Sequence, residues 1–341
     1  MNPTKTFTVS AQLIDHFLNG ARAAGLDIQR LLRKAEIDPA LLSAPKGRIQ
    51  LEKVVLLQRY CNGVLKDEAA GNLNAPLRLG HFRYMTLSAV HAGNLAAALQ
   101  RCCEFLNLFE NTFHFSMITQ GTQTEFRLEM LNDTPLRTPY AVDFMLSNIH
   151  RFLGWLGNHR LILNQVNNTF PPPSYRDEYR YTYYGAPVLF NQPYNSWILE
   201  SEYLEQPIVQ SETTVEAYMR RAPLDLYLPL DAGGKITEQV RTRIWQGFSD
   251  HDLAPSLEEI AQDCGLTPQT LRRRLKAEGT HFQTVKGQVR RDIAIHHLGN
   301  NEHSIEAIAA KAGYSEPSAF IRAFKIWTGF TPLQFRKALA T

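Results

Sequence analysis

The side chains with the clearest chemical capacity lie on two short segments near the C-terminus. In the first segment, Gln269, Arg272 and Arg273 are spaced three and four residues apart, so a helix presents them on one face. A guanidinium group can donate two hydrogen bonds to guanine, and a carboxamide can pair with adenine. Lys276, one turn further along, suits a phosphate oxygen. These residues are therefore predicted to contact the major groove of DNA.

The second segment carries a similar but less polar set of side chains. Ser318, Ile321 and Arg322 have the same spacing, and Lys325 follows one turn later. Ile321 departs from a polar base-reading residue. Two interpretations stay open from the residues alone: Ile321 touches a thymine methyl group, or the second segment reads little sequence at all.

Each segment follows the same arrangement of apolar residues and a glycine. The apolar spacing is that of a short helix, and the glycine marks a sharp turn with positive φ. Gly265 and Gly313 lie 48 residues apart, and a second helix begins after each of them. The pattern is thus a duplicated helix-turn-helix, and the duplication argues against a small helical bundle whose basic faces are merely solvated. The preceding helices are defined by Leu257, Ile260 and Ala261 and by Ile305, Ile308 and Ala309.

The duplicated region resembles the DNA-binding domain of the AraC/XylS transcription regulators, in which a long helix joins two helix-turn-helix units. Gly279–Phe282 leads into the predicted linker helix, Gln288–Leu298, which has Arg290 and Ala294 where the family has them. Two further stretches are similar to family motifs: Gly329–Arg336 to the C-terminal signature, and Glu316–Phe320 to the second recognition helix of one subgroup.

The resemblance and the residue chemistry together imply a set of DNA contacts. Thr331-Pro332 can start the last helix with a capping hydroxyl, after which Phe335 closes an apolar cluster with Phe320, Phe324 and Trp327. Backbone N–H groups at helix starts bind phosphate oxygens. The predicted base-contacting residues are Gln269, Arg272, Arg273, Ser318, Ile321 and Arg322, and the predicted phosphate-contacting residues are Lys276, Thr280, Lys325 and Thr331.

The N-terminal two thirds of the chain combine helix and strand patterns. The region resembles the arabinose-binding-type sensor domain of an AraC subgroup through Phe170–Pro173, Tyr184–Pro187 with Phe190, and Leu204–Pro207. Periodicity predicts helices over Ser10–Ala24, Gln50–Asp67, Leu95–Phe109 and Pro139–Leu156, a hairpin around Gln120–Thr122, and strands at Leu161–Val166, Val188–Phe190 and Ser196–Leu199.

A polar zone from Leu224 to Pro255 separates the two regions, and Asp231–Gly234 is its best hinge signal. The predicted fold class is an α+β N-terminal sensor domain followed by an all-α DNA-binding domain with two helix-turn-helix motifs joined by a long helix. The predicted bounds are 1–223 for the effector-sensing and dimerisation domain, 224–254 for the linker and the first helix of the DNA-binding part, and 255–341 for the DNA-binding domain, with motifs at about 256–279 and 304–329 and the linker helix at about 282–298.

Charge is unevenly distributed along the 341 residues. From Pro255 onward the chain has 12 Lys/Arg and 8 Asp/Glu, a net charge of +4. The preceding residues have 24 Lys/Arg and 25 Asp/Glu, a net charge of −1, so the net charge of the whole chain is +3. The positive excess lies in the region predicted to bind DNA. The chain has no charged-then-apolar leader and no uninterrupted apolar run of about 18 residues. We therefore expect a soluble cytoplasmic protein without a membrane partner.

Catalytic and metal-site patterns are weak. Cys61, Cys102, Cys103 and Cys264 lack metal-ligand spacing, and neither a phosphate-binding loop motif nor H-E-x-x-H occurs. A four-cysteine alkylation-repair site is disfavoured for that reason, as is a hydrolase built on Cys102 or Cys103 with His150. We predict no enzyme activity, no cofactor and no metal.

The resemblance implies an effector-responsive activator that binds double-stranded promoter DNA as a homodimer and acts with RNA polymerase. The subgroup's relatives imply a small effector that is fatty acid-like or amino-acid-derived, and the aromatic content favours the fatty acid-like class, but no effector-binding residue is identified. Two alternatives remain: an N-terminal module that only dimerises or binds protein without a ligand and, more remotely, a catalytic N-terminal domain fused to the DNA-binding part.

Overall fold

A computed structural model describes residues 8–44, 47–109, 112–132, 135–136, 138–158, 160–221, 236–251, 255–277, 280–300, 303–328 and 331–340. The chain divides into two compact units. The first comprises Met1–Thr182 and Leu189–Leu230, and the second comprises Tyr183–Val188 and Asp231–Thr341. The predicted hinge at Asp231–Gly234 lies outside the described residues.

The first unit begins with a helical lobe that contains a small sheet. The sequence predicted one helix over Ser10–Ala24, but the structure has two helices here, and a short strand precedes them. Ser10 holds the N-cap position, yet its side chain makes no capping bond to any described residue, because Ser10 ends a strand and the N–H of Ala11 donates to Gly47 O at 2.8 Å. The elements are β1 Thr8–Ser10, α1 Ala11–Phe17, α2 Asn19–Ala23, α3 Ile28–Lys34, α4 Ala40–Ser43, β2 Arg48–Gln50 and α5 Leu51–Leu65.

A five-stranded sheet forms the centre of the first unit, with the strand order β3-β4-β7-β5-β6. The predicted hairpin is confirmed: β3 pairs antiparallel with β4, and Gly121 in the turn has φ +59°. Helices α7 and α8 contact the sheet. The bounds are α6 His81–Ala89, α7 Leu95–Asn107, β3 Phe113–Gln120, β4 Gln123–Met130, α8 Tyr140–Gly157, β5 Leu163–Asn167, α9 Tyr179–Thr182, β6 Val188–Leu189, β7 Asn195–Glu200 and α10 Glu212–Arg221.

Aromatic rings contact one another within the core of this unit. Phe126 and Trp197 are fully buried on adjacent strands with ring centroids 5.0 Å apart. The last helix, α10, is held by Tyr218, whose ring stacks on Trp155 at 4.1 Å with an interplanar angle of 12°. An ion pair between Arg83 and Glu216 adds a polar contact to the same helix. The α+β class predicted for this region is confirmed.

The second unit is helical, and its described residues form one apolar core. The predicted first helix is present as α11, which packs into this core through Ile236, Val240, Ile244 and Phe248. The elements are α11 Ile236–His251, α12 Leu257–Asp263, α13 Pro268–Ala277 (the first recognition helix), α14 Phe282–Asn300 (the linker helix), α15 Ile305–Lys311, α16 Pro317–Thr328 (the second recognition helix) and α17 Pro332–Ala340.

Candidate nucleic-acid interface

The first helix-turn-helix unit begins with a capping box on α12. Glu259 N donates to Ser256 Oγ at 3.2 Å, and Ser256 N donates to Glu259 Oε2 at 2.6 Å. These bonds satisfy backbone donors that a helix start leaves free. The helix ends at Asp263, and Gly265 in the following turn has a φ of +64°, which confirms the predicted turn. Leu266 N then donates to Ala261 O at 2.8 Å, which fixes the chain as it leaves the turn.

The first recognition helix separates an apolar face from a polar face. Leu271 and Leu275 are fully buried in the core. Gln269, Arg272 and Arg273 are exposed, as the sequence predicted, and so is Lys276. Arg272 Nη2 lies 3.5 Å from Glu258 Oε1, but both side chains are exposed and such a pair holds the arginine only weakly. The guanidinium groups of this helix are therefore available to an external acceptor.

An open groove of about 740 Å³ runs beside this helix. The sequence reasoning missed three polar residues on its wall: His281, Gln283 and Lys286, at the start of the linker helix. Burial, with a smaller contribution from the charge of Arg290, lowers the pKa of Lys286. The groove and the recognition helix together form a concave surface that carries polar and basic side chains. Its lining residues are Ser256, Leu257, Glu258, Gln269, Arg272, Arg273, Lys276, His281, Phe282, Gln283 and Lys286.

The second helix-turn-helix unit repeats this architecture. Ser304 caps α15 by accepting from Ala307 N at 3.1 Å, and Gly313 forms the turn with φ +76°. Phe320 and Phe324 are fully buried at the positions that Leu271 and Leu275 occupy in the first helix-turn-helix unit. The predicted DNA-contacting side chains of this helix are all exposed, and Ile321 is the least so at 36%. They are Ser318, Ile321, Arg322 and Lys325.

The final helix, α17, packs on the second helix-turn-helix unit as predicted. Thr331 caps α17, because Gln334 N donates to Thr331 Oγ1 at 3.3 Å. The same hydroxyl donates to Gln334 Oε1 at 2.9 Å. The rings of Phe335 and Phe324 then meet edge to face at 5.4 Å. Thr280, the other predicted phosphate-contacting threonine, is half-buried before the linker helix.

Three buried ionisable side chains of the first compact unit, His150, Arg151 and Asp143, make hydrogen bonds within the fold. His150 Nε2 donates to Leu161 O at 2.9 Å, and burial lowers its pKa to about 3, so the ring is neutral. Arg151 Nη2 donates to Tyr181 O at 2.7 Å. Burial raises the pKa of Asp143 to about 7, and the hydroxyls of Tyr175 and Tyr179 donate to it. These contacts favour structural roles for His150 and Arg151.

The described residues contain no group of three His, Cys, Asp or Glu side chains that can hold a metal ion. Cys61, Cys102 and Cys103 are buried, and burial raises the pKa of each thiol; for Cys61 and Cys103 it reaches about 12. A thiol with such a pKa is a poor nucleophile near neutral pH. Over the same part of the chain, no helix is long and apolar enough to cross a membrane.

This arrangement defines a DNA-binding transcription regulator with tandem helix-turn-helix units. Each unit has a glycine turn and a recognition helix with one exposed polar face, and a long helix connects the two units. The family model described as the arabinose-binding domain of AraC transcription regulators matches residues 25–208, and a helix-turn-helix domain model matches residues 260–338. The chain belongs to the AraC family of transcription regulators. The two matched models are domains of transcription regulators, not of enzymes.

Among curated relatives, the ornithine utilization regulator of Pseudomonas aeruginosa is 24% identical over 315 residues, which is 92% of each chain. The regulator VirS of Mycobacterium tuberculosis is 29% identical over 154 residues, covering 45% of this chain and 44% of its own. Among solved structures, the transcriptional regulator CdpR from Pseudomonas aeruginosa aligns with 95% of this chain and 97% of its own at 20% identity, with a TM-score of 0.30.

Proposed function

We propose that this regulator reads promoter DNA through both recognition helices in successive major-groove segments. The observation that carries the proposal is the division of the first recognition helix, where Leu271 and Leu275 are buried while Arg272 and Arg273 are exposed. Exposed guanidinium groups on a helix that is anchored by its apolar face are free to pair with base edges. In this proposal the base contacts come from Gln269, Arg272, Arg273, Ser318, Ile321 and Arg322, and the phosphate contacts from Lys276, Thr280, Lys325 and Thr331.

The test compares two substitutions on one helix. A duplex selected from a random pool by the full-length protein serves as the specific probe, and a shuffled duplex serves as the control. Arg273→Ala should weaken binding to the selected duplex by about 1–3 kcal/mol and relax sequence preference at one position. Lys276→Ala should weaken binding to both duplexes alike. Equal losses on the two duplexes for Arg273→Ala would exclude a base contact by that residue.

We further propose that the N-terminal domain binds a small effector and that the effector is derived from an amino acid. Support comes from the ornithine utilization regulator, which is similar to this chain over 92% of both lengths. The fatty acid-like class predicted from aromatic content has less support, because Phe113 and Phe126 are fully buried core residues. A thermal-shift screen of the full chain with amino acids, ornithine and medium-chain fatty acids distinguishes the classes. An upward shift with fatty acids alone would contradict this proposal.

The remaining parts of the proposal concern assembly and output. We infer that the chain acts in the cytoplasm as a homodimer and activates transcription with RNA polymerase, as the family resemblance implies. Effector binding then shifts the occupancy of promoter half-sites by favouring one arrangement of the protein. Sedimentation with and without effector tests the dimer. Transcription in vitro from a selected promoter, with purified polymerase, tests the sign of regulation; a fall in transcript would contradict activation.

A further inference from the structure

An arginine on the linker helix reaches the turn of the second helix-turn-helix unit. Arg290 Nη2 donates to Gly313 O at 2.9 Å, and its guanidinium carbon lies 4.7 Å from the centre of the Tyr314 ring. One side chain therefore makes both a charge-assisted hydrogen bond to the backbone of the turn and a cation–π contact with the next residue. Both contacts join the linker helix to the turn.

The turn is in direct contact with the second recognition helix and with α11. The ring of Tyr314 lies 5.7 Å from that of Phe320 and 6.1 Å from that of Trp327, both on the second recognition helix. On the other side, a Cβ placed on Gly313 would lie 2.6 Å from Phe248 Cε1. The turn is thus enclosed, and a change in Arg290 acts on the recognition helix through Tyr314.

The first helix-turn-helix unit has no equivalent of this arrangement among the described residues. A Cβ placed on Gly265 meets nothing within 4 Å, and the residue after it is Leu266 instead of a tyrosine. Among the described residues, the side-chain contacts that join the second turn to the linker helix through Arg290 have no counterpart at Gly265.

We propose that Arg290 is a positioning residue that sets the spacing of the two DNA segments the protein recognises. The proposal rests on the proposed reading of DNA by both recognition helices. Two helices that enter successive major-groove segments on one face must be held about one helical repeat, roughly 34 Å, apart. Arg290 fixes the second recognition helix to the helix that spans the two units. It is half-buried and directed at the protein, so it acts through the turn and not through a DNA contact.

The test measures tolerance to altered spacing. The wild-type full-length protein first selects duplexes from a random pool, and two base pairs are then inserted between the two preferred segments. For the wild type, the insertion should weaken binding by roughly tenfold or more, comparable to a mismatched base pair. For Arg290→Gln, the insertion should weaken binding by less than about threefold, because the second recognition helix can adjust its position. The affinity of this variant for the DNA segment read by the first recognition helix should stay unchanged.

Three further variants complete the test. Arg290→Lys keeps a charge over the Tyr314 ring and should give an intermediate loss. Tyr314→Leu copies the first unit and should also reduce the loss. Arg33→Gln removes an exposed arginine on α3, outside the DNA-binding part of the chain, and should behave as wild type. If circular dichroism shows that Arg290→Gln does not fold, the lysine and leucine variants decide the question.

Each outcome supports or overturns the proposal. A loss on insertion that is the same in wild type and in all folded Arg290 and Tyr314 variants overturns it. So does a wild type that tolerates the insertion, because no spacing is then set. A wild type that selects no sequence at all refutes the proposed base reading, which is a different failure. Reduced affinity for both segments alike in Arg290→Gln indicates general destabilisation and also overturns the positioning role.

Discussion

Two residues separate Gly265 from the start of the first recognition helix at Pro268, whereas three separate Gly313 from the start of the second at Pro317. The extra residue shifts the correspondence between the units, so positions in the recognition helices match at an interval of 49 residues instead of 48. Leu271 and Leu275 of the first unit then coincide with Phe320 and Phe324 of the second. The buried pair keeps its spacing because both helices must pack on the same core.

The exposed faces have diverged more than the buried ones. At matching positions, Gln269 corresponds to Ser318 and Arg272 corresponds to Ile321, while an arginine and a lysine are retained in both units. An arginine can make two directed hydrogen bonds to a base, but an isoleucine can make only an apolar contact. We therefore propose that the first helix-turn-helix unit carries most of the sequence preference and that the second depends more on where it is held.

The largest expected difference between the units concerns the two glycine turns. Gly265→Ala should destabilise the protein by about 1–2 kcal/mol, the cost of a left-handed backbone for an alanine. Gly313→Ala should cost about 2–5 kcal/mol, because a clash with the Phe248 ring adds about 1–3 kcal/mol of overpacking. Denaturant unfolding of the full-length protein, followed through the helical unit, measures both. Equal losses would show that Phe248 moves aside without cost.

A smaller difference is expected for the diverged pair on the recognition helices. Arg272→Ala should weaken binding to a selected duplex by about 1–3 kcal/mol, since a bidentate base contact is lost. Ile321→Ala removes at most a methyl contact and should cost less than about 1 kcal/mol. Fluorescence anisotropy at fixed salt measures both on the same duplex. A larger loss for Ile321→Ala would reverse the proposed ranking of the two units.

The smallest expected difference lies in the helix caps that open the two units. Ser256 belongs to a reciprocal capping box, whereas Ser304 accepts a bond from Ala307, whose side chain cannot return one. Ser256→Ala should therefore cost about 1 kcal/mol, and Ser304→Ala about 0.5 kcal/mol. Thermal unfolding of the two variants against wild type measures the difference. Glu259→Ala is the matched control, because it removes the returned bond of the capping box. In that background, Ser256→Ala should cost no more stability than Ser304→Ala.

Local sequence signals predicted much of this architecture. Both glycine turns, the helix starts at Pro268 and Pro332, and the β3-β4 hairpin follow from spacing and from residues that favour one backbone conformation. The predicted DNA-contacting side chains on the two recognition helices are exposed where a helix from Pro268 or Pro317 must expose them.

Features that depend on distant parts of the chain were not predictable in this way. Helix α6, His81–Ala89, was missed, and the strand ending at Ser10 forms only because Arg48–Gln50 pairs with it. The contact of Arg290 with Gly313 joins residues 23 apart, one on the linker helix and the other in a turn. His281, Gln283 and Lys286 join the groove because the linker helix begins beside the first recognition helix. Such proximity is set by packing and leaves no periodic signal in the sequence.

The length of the linker helix has a mechanical consequence. Its 19 residues at about 1.5 Å per residue make a rod of roughly 28 Å. Tilting such a rod by about 5° at one end displaces the other end by roughly 2.5 Å, which is comparable to the length of a hydrogen bond. If both helix-turn-helix units read DNA as proposed, a slight rotation imposed on one unit is expected to break base contacts made by the other.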